Sequence, residues 1–383
     1  MNEILATRIA SALSSRSNEG LLRRVQMHAP QAGLVNLADN DYWSLSKHPE
    51  VQAAAREAIE RYGCSACASP LITGFGPAHE LLLARLKQWH DFAHGLVWNS
   101  GFAANRAVLS QLPRRGDLVL ADRLIHKSMV HGILDSGARL TRYRHCDLDH
   151  LASLLAERPP TDGVTFVVTE SVFSMDGDYP DVGRMAELKR AHDFVWLVDE
   201  AHAIGWYGER GSGLVEEAGV ADQVDVLVGT LGKALGSMGA YTLLRDERLE
   251  QFLENYASEF IYSTYLAPAC AAAALRATEV IEARLTERQA ARDASRRFRA
   301  ELRAKGWDAP DGDSPIVPII LGNIDQAERA RDRLRAVGVL AALIRPPTVP
   351  PGTARVRLSL KGDMAPEVLT RVAAALGEPE DAS

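Results

Sequence analysis

Two short segments contain residues whose types and spacing suit covalent chemistry on a bound aldehyde. Lys233 lies in the run Thr-Leu-Gly-Lys-Ala-Leu-Gly, where neighbouring glycines let a ligand approach its amine closely. Asp199 ends the apolar run Leu-Val-Asp and is followed by Glu-Ala-His, a pattern that predicts a buried acid able to hold a cation. Pyridoxal phosphate (PLP) needs such an amine for a Schiff base and such a carboxylate to keep its ring nitrogen protonated. The order of the two segments therefore favours PLP chemistry, although neither is specific alone.

The composition is that of a globular protein with one large and one smaller domain. Its 383 residues exceed what a single hydrophobic core usually holds. Hydrophobic residues make up 46% and charged residues 24%, and the net charge of −7 argues against a nucleic acid or an anionic membrane as the main partner. The sequence has no secretory signal pattern and no apolar stretch of membrane-spanning length. We therefore expect a cytoplasmic protein.

Four short apolar runs alternate with amphipathic stretches through the first two thirds of the chain. They predict strands buried on both faces, at residues 118–121, 164–169, 194–198 and 224–228. Residues 180–192 carry apolar side chains at helical spacing, as a crossover helix does. This predicts an α/β fold with a mostly parallel central sheet and helices on both faces. Because the polar motifs follow these runs, we expect a ligand site at the carboxyl ends of the strands.

The remaining patterns divide the chain into three parts. Residues 3–30 predict a helix and a turn, and residues 266–305 predict a long helical segment followed by short strands and helices. We expect an N-terminal helical arm over residues 1–46, a large PLP-binding α/β domain over residues 47–275 and a small α+β domain over residues 276–383.

Other segments give weaker signals than Lys233 and Asp199 do. Gly101, in the run Asn-Ser-Gly-Phe-Ala-Ala-Asn, precedes a predicted helix and could seat a phosphate, with Thr230 and Ser263 or Thr264 as further donors. Such a run is more often only a turn and helix cap.

Two histidines have ordinary as well as functional interpretations. His126 could stack on a cofactor ring, but a loop histidine is more often a surface or capping residue. His202 follows Asp199 by three residues and could reach the same pocket, or could simply start a helix.

The four cysteines give no metal prediction. Cys64 and Cys67 form a CxxC pair, but Cys146 and Cys270 lie too far along the chain to supply a second pair for zinc. We favour buried structural thiols over a functional pair.

Together the motifs resemble those of the α-oxoamine synthases, PLP enzymes of the fold-type I (aspartate aminotransferase-like) class. The resemblance extends over nearly the whole chain and is carried by residues 40–42, 100–105, 121–126, 168–178, 198–202, 261–264 and 344–358. The runs Ile-Arg-Pro-Pro-Thr-Val-Pro and Gly-Thr-Ala-Arg-Val-Arg-Leu are more similar to the biotin-pathway branch than to the aminolevulinate, sphingolipid or glycine C-acetyl branches.

The resemblance implies a role for each matching residue. Lys233 would bind the PLP aldehyde and act as acid and base, Asp199 would pair with the ring nitrogen, and His202 would contact the phenolic oxygen. The other implied cofactor contacts are His126 and Ala201 on the two ring faces, Ser174 beside the ring, and Gly101, Phe102, Thr230 and a second subunit's Ser263 or Thr264 at the phosphate. The implied substrate contacts are Arg357 for the amino acid carboxylate, Asn40, and Arg23 from the N-terminal arm.

The reaction implied by the resemblance is a decarboxylative condensation in a homodimer with shared sites. A small amino acid would condense with an acyl-CoA to give an α-aminoketone, CoA and carbon dioxide. L-alanine is the favoured amino acid and a pimeloyl thioester the favoured acyl donor. Residues 63–75 depart from the family, because Ser65, Cys67 and Pro70 stand at positions that are usually glycine, and Trp43 replaces a usually smaller residue. These departures leave open a related synthase with a different acyl-CoA or amino acid, making a signalling or secondary metabolite.

Two further alternatives fit the sequence less well. An aldolase or aminotransferase on the same fold does not suit the arginine-rich run at residues 344–358. A non-catalytic partner subunit predicts that the reactive lysine is replaced, whereas Lys233 is present.

Overall fold

Two β-sheets organise the chain in a computed structural model that describes residues 1–25, 27–28, 33–158 and 163–379. The strands are β1 (Val35–Leu37), β2 (His94–Trp98), β3 (Leu118–Asp122), β4 (Arg139–Tyr143), β5 (Thr165–Glu170), β6 (Val195–Asp199), β7 (Val226–Thr230), β8 (Ala240–Leu244), β9 (Ile316–Gly322), β10 (Val339–Ile344) and β11 (Ala354–Ser359).

The helices surround these sheets. They are α1 (Glu3–Asn18), α2 (Pro49–Tyr62), α3 (Pro77–His90), α4 (Gly101–Gln111), α5 (Lys127–Ser136), α6 (Leu148–Glu157), α7 (Val182–Ala191), α8 (Leu214–Glu217), α9 (Glu247–Tyr256), α10 (Ser258–Ile261), α11 (Pro268–Glu282), α12 (Leu285–Ala304), α13 (Ile324–Ala336) and α14 (Glu367–Leu376). No helix of the described ranges has the length and apolar character that a membrane crossing requires.

The larger sheet has seven strands in the order β2-β8-β7-β6-β5-β3-β4. The strands from β7 to β4 run parallel, while β8 is antiparallel to both of its neighbours. Every residue of β5, β7 and β8 is buried, as expected where helices cover both faces. The predicted mostly parallel α/β architecture is confirmed, and each of the four apolar runs overlaps one of its strands.

The smaller sheet has four strands in the order β1-β10-β11-β9. β1 comes from the N-terminal segment and pairs parallel with β10, so residues 1–46 contain a strand as well as a helix. α1 ends at Asn18, and residues 29–32 of the turn predicted after it lie outside the described residues. The predicted long helical segment is divided into α11 and α12. The three domain boundaries stay a prediction.

Three residues singled out in the sequence, Cys64, Cys67 and Trp43, differ in burial. Cys64 and Cys67 are both exposed, so the prediction of buried thiols was wrong. Cys67 has φ 58°, a left-handed conformation that favours glycine. Trp43 is 2% exposed and packs in the core, where its indole donates to the carbonyl of Gly205 at 2.6 Å.

Candidate active site

The carboxyl ends of neighbouring parallel strands bring the leading residues together. Asp199 ends β6 and lies in register with Glu170 at the end of β5 and with Val228 on β7. Thr230 ends β7 and begins the turn that carries Lys233. The ligand site expected at this edge of the sheet is therefore assembled from three adjacent strands.

The Asp199 carboxylate is buried and held by two donors. The side chain of Asn105 donates to Oδ2 at 2.7 Å, and the amide of Ala201 donates to Oδ1 at 2.9 Å. Asn105 lies on α4, one turn after Gly101, and sequence reasoning gave it no role. Two donors stabilise the ionised carboxylate, so Asp199 is suited to hold a cation.

The Lys233 amine lies 2.6 Å from Nε2 of His202. Burial lowers the pKa of Lys233 to about 8, and the nearby negative charge of Asp199 opposes that shift. An unperturbed lysine has a pKa of about 10.4, so this amine loses its proton far more readily. That is the property required of an amine that attacks an aldehyde.

His202 connects Lys233 to a tyrosine. Its Nδ1 lies 2.6 Å from the hydroxyl of Tyr42. Burial, together with the positive charges of Lys233 and Arg357, lowers the pKa of His202 well below its usual range, which makes the ring neutral. A neutral imidazole has one donor nitrogen and one acceptor nitrogen, so it can donate a hydrogen bond to one neighbour and accept one from the other.

The connection continues to an arginine of the smaller sheet. Tyr42 donates to Oδ1 of Asn40 at 3.3 Å, and Nη2 of Arg357 donates to the same oxygen at 2.8 Å. Arg357 is 4% exposed, and its Nε has no hydrogen-bond partner in the part of the chain that the structure describes. A buried guanidinium with a free donor is suited to bind a carboxylate. Sequence reasoning missed Tyr42 as a site residue, although its neighbour Asn40 was assigned.

The anion seat expected from the sequence lies at the start of α4. Ser100 caps the helix by accepting from the amide of Ala103 at 3.1 Å. A Cβ added to Gly101 would make only an ordinary van der Waals contact with Thr230, at 3.9 Å, so the packing there is not tight. Amides at a helix start beside the hydroxyl of Thr230 are chemically suited to a phosphate group.

His126 lies where its ordinary interpretation placed it. Its Nδ1 accepts from the amide of Ser128 at 3.3 Å and caps α5, while the residue remains exposed to solvent. The ring of Phe102 meets it nearly edge-on, at 6.4 Å between centroids. Stacking of His126 on a cofactor ring stays a prediction.

The other assigned residues lie around this cluster at varying distance from its centre. Ser174 is half-buried in the loop after β5. The carbonyl of Thr264 accepts from the side chain of Asn99 at 2.7 Å, but the hydroxyls of Ser263 and Thr264 make no hydrogen bond within the described residues. Arg23 is exposed and donates to Thr348 at 3.0 Å, outside the partly buried chain of hydrogen bonds.

Glu170 is a buried acid to which no role was assigned from the sequence. It is 3% exposed, and burial, reinforced by the charge of Asp199, raises its pKa well above the usual range. Glu170 therefore keeps its proton beside Asp199. The available signal was its position at the end of a predicted strand beside the strand that ends in Asp199.

These observations fit PLP. Lys233 offers a readily deprotonated amine, Asp199 a charged acid for a ring nitrogen, and the start of α4 a seat for phosphate. Three separate parts of one ligand therefore find complementary chemistry on adjacent elements.

Comparisons with known proteins agree with this geometry. The family model for aminotransferase class I and II matches residues 32–376. A protein of Trichlorobacter lovleyi named 8-amino-7-oxononanoate synthase is 39% identical, with 96% of each chain covered. Another of that name from Anaeromyxobacter dehalogenans is 42% identical, over 92% of this chain and 90% of the relative.

Solved structures give the same fold. A serine palmitoyltransferase of *Sphingomonas wittichii* superposes with a TM-score of 0.89 at 26% identity, covering 98% of this chain and 96% of that one. An 8-amino-7-oxononanoate synthase of *Francisella tularensis* gives a TM-score of 0.77 at 26% identity, covering 90% and 96%.

The chain belongs to the aminotransferase class I and II family and, within it, to the α-oxoamine synthases. It is accordingly a PLP-dependent acyltransferase of fold-type I, and the fold, the cofactor and the enzyme class predicted from the sequence are confirmed.

Proposed function

We propose that the enzyme condenses L-alanine with a pimeloyl thioester, releasing CoA and carbon dioxide and forming 8-amino-7-oxononanoate for biotin synthesis. The observation that carries the proposal is the partly buried chain of hydrogen bonds from Lys233 through His202, Tyr42 and Asn40 to Arg357. It joins an aldehyde-reactive amine to a carboxylate-binding arginine within one site. The relatives at 39% and 42% identity have the name of the enzyme that makes this product.

The amine and the acid have complementary tasks. Bound PLP supplies an aldehyde for the amine and a ring that withdraws electrons from the amino acid Cα. Lys233 would remove and return the proton at the amino acid Cα, a task for which an amine with a pKa near 8 is well matched. Asp199 keeps the ring nitrogen protonated, and Asn105 holds the carboxylate in place.

Recognition of the amino acid is assigned to the smaller sheet. The unpartnered Nε of Arg357 donates to the substrate carboxylate, while Asn40 fixes the other side of the guanidinium. Holding the carboxylate sets which bond at Cα faces the ring and is broken. The small volume of an alanine side chain suits a site closed by Tyr42, which is fully buried.

The remaining cofactor contacts are proposed from their positions around this centre. His126 stacks on one face of the ring and Ala201 packs on the other, while His202 contacts the phenolic oxygen. Ser174 lies beside the ring. The phosphate is bound by Gly101, Phe102 and Thr230. Arg23, in the N-terminal arm, lies near the substrate.

A homodimer completes the phosphate seat in this proposal. Among the described residues the hydroxyls of Ser263 and Thr264 make no hydrogen bond, and the adjacent Tyr262 is 82% exposed. Leu71 and Ile72, at 51% and 75% exposure, add further apolar side chains at the surface. Exposed apolar side chains on this scale are typical of a subunit interface. The cytoplasmic location expected from the sequence stays a prediction.

A related synthase with a different acyl thioester is the second candidate. Its support is the segment of residues 63–75, where Cys67 adopts a left-handed conformation and Pro70 begins a π-helical turn over Pro70–Gly74. The chain also superposes on a serine palmitoyltransferase with a TM-score of 0.89, so the same fold is compatible with a longer acyl chain.

An acyl-chain panel tests the two candidates. Purified enzyme with PLP and L-alanine is given pimeloyl-, acetyl- and long-chain acyl-CoA, and CoA release is followed with mass analysis of the product. The proposal predicts the highest kcat/KM with pimeloyl-CoA and a product of the mass of 8-amino-7-oxononanoate. A clear preference for another thioester would favour the second candidate, and no release with any of them would contradict both.

A further inference from the structure

His145 lies between two carboxylates outside the cluster described above. Its Nδ1 is 2.9 Å from Oδ1 of Asp122, and its Nε2 is 2.9 Å from Oδ2 of Asp178. Asp122 is fully buried at the end of β3, while Asp178 lies in the loop that follows β5. The ring of Phe173, from that same loop, packs edge-on against the imidazole at 4.4 Å.

The two contacts determine how the ring is protonated. Ionised carboxylate oxygens only accept hydrogen bonds, so both ring nitrogens must donate and the ring must be an imidazolium. Burial alone would lower the pKa of His145, but the hydrogen bonds to Asp122 and Asp178 outweigh it and raise the pKa to about 12. Asp122 also accepts from the amides of Leu124 and Cys146, both at 2.8 Å, which fixes its position.

The two carboxylates belong to two different loops of the site. Asp122 begins the stretch that ends at His126, and Asp178 ends the stretch that contains Glu170 and Ser174. His145 therefore joins the loop that supplies the stacking histidine to the loop that borders the other assigned contacts.

The second loop is also held from the opposite side. Arg355 of β11 donates to Asp176 at 2.6 Å, and the hydroxyl of Ser314 donates to the carbonyl of Gly177 at 2.5 Å. A Cβ at Gly177 would lie 2.1 Å from the carbonyl oxygen of Ile316, so only glycine permits this approach. The smaller sheet thus fixes one side of the loop, and His145 fixes the side that faces His126.

We propose that His145 is a positioning residue, whose imidazolium holds the loops of residues 122–126 and 171–178 at the separation that cofactor binding requires. The ionic bridge stands on the geometry of this chain alone. Its consequence for PLP rests on the proposed roles of His126 and Ser174.

A metal centre is the competing interpretation of the same side chains. Asp122, His145 and Cys146 each have a donor atom within 4.8 Å of the others. A metal ion would need a lone pair on the imidazole and therefore a neutral ring. Because both ring nitrogens face carboxylates at hydrogen-bond distance, the bridge leaves no lone pair for an ion.

Hydrogen exchange of the holoenzyme tests the bridge through the loops it joins. His145→Gln should speed exchange at least tenfold in residues 122–126 and 171–178, and should raise the Kd for PLP at least tenfold. The matched control is His94→Gln, since His94 also contacts a carboxylate, that of Glu250 at 3.2 Å, but at the amino end of β2. The control should leave both quantities within twofold of the unchanged protein.

A second variant covers the case in which His145→Gln does not fold. Asp178→Asn keeps the size of the side chain and removes one charge, so it should give the same pattern of exchange with smaller changes. Rates in the two loops equal to those of His94→Gln, in either folded variant, would overturn the proposal. This readout does not require turnover, so it is unaffected if the proposed substrates are wrong.

The protonation state is tested directly by nitrogen NMR of histidine-labelled holoenzyme at pH 8, with His145→Gln used for assignment. The proposal predicts a proton on both ring nitrogens of His145 and no change on adding zinc. A single protonated nitrogen, or stoichiometric zinc binding that is lost in Cys146→Ser, would contradict it.

Discussion

The two halves of the site differ in how completely their charged side chains are paired within the described residues. On the larger sheet, Asp199 has two donors and Lys233 contacts His202, although the uncharged Oδ1 of Asn105 and Oε1 of Glu170 have no partner there. On the smaller sheet, Arg357 is as buried as Asp199, but its Nε has no partner among the described residues. Buried donors are rarely left unpaired in native proteins, so the unpaired one marks the place where a ligand completes the structure. The cofactor half is preassembled, and the substrate half depends on the amino acid.

The largest loss should follow from removing the reactive amine. Lys233→Ala should lower turnover by about 10³-fold or more, because it removes both the attachment point of PLP and the base at the amino acid Cα. The visible absorption band of the holoenzyme should disappear while far-UV circular dichroism is unchanged. Lys305→Ala, which removes a lysine at the end of α12, is the control. Turnover retained in Lys233→Ala would show that Lys233 is not the reactive amine of the cofactor half.

A substitution in the substrate half should weaken binding of the amino acid and leave the PLP content unchanged. Arg357→Ala should raise the KM for the amino acid by about 10- to 150-fold, the range expected for the loss of a charged hydrogen bond. Bound PLP, measured by absorbance per protein, should stay unchanged. Arg23→Ala provides the contrast, since Arg23 is exposed and its effect should be much smaller. Equal loss of PLP and of substrate binding in Arg357→Ala would make Arg357 structural.

This division explains which features the sequence could predict. Apolar runs located β3, β5, β6 and β7, since strands buried on both faces contain continuous apolar residues. β4 was missed because its sequence, Arg-Leu-Thr-Arg-Tyr, is polar and lies at the sheet edge. The predicted strands placed Asp199 and Lys233 at one edge, whereas the links through Asn105 and Tyr42 depend on contacts between elements distant in the chain.

The exposed Cys64 and Cys67 show the same limit. Composition describes how buried a cysteine usually is, but only packing decides it at a given position.

The pH dependence of PLP uptake should report the protonation of the Lys233 amine in the cofactor half. With a pKa near 8, Lys233 is mostly protonated at pH 7 and mostly neutral at pH 9, and only the neutral amine attacks an aldehyde. The rate of PLP uptake by cofactor-free protein should therefore rise with pH with a midpoint near 8. Asp199→Asn should move that midpoint lower, because the charge of Asp199 favours the protonated amine. A midpoint near 10, the ordinary value for lysine, would show that burial does not act on this amine.

The smallest effect should come from the residue that joins the two halves. Tyr42→Phe removes the hydroxyl that contacts His202 and Asn40 and keeps the buried ring. Loss of about 1 kcal/mol corresponds to about a fivefold decrease in kcat/KM. Since Tyr42 links Lys233 to Arg357, combining Tyr42→Phe with Arg357→Ala should cost less than the sum of the two separate losses. Simple additivity would mean that the halves act independently.

The most direct measurement is the site of covalent attachment of the cofactor. The holoenzyme is reduced with borohydride, digested, and mapped by mass spectrometry for a pyridoxyl group. The label should be found on the peptide containing Lys233, at about one per chain, and Asp199→Asn should change the absorption spectrum without moving the label. A pyridoxyl group on any other lysine, in protein that turns over, would contradict the assignment of this cluster as the active site.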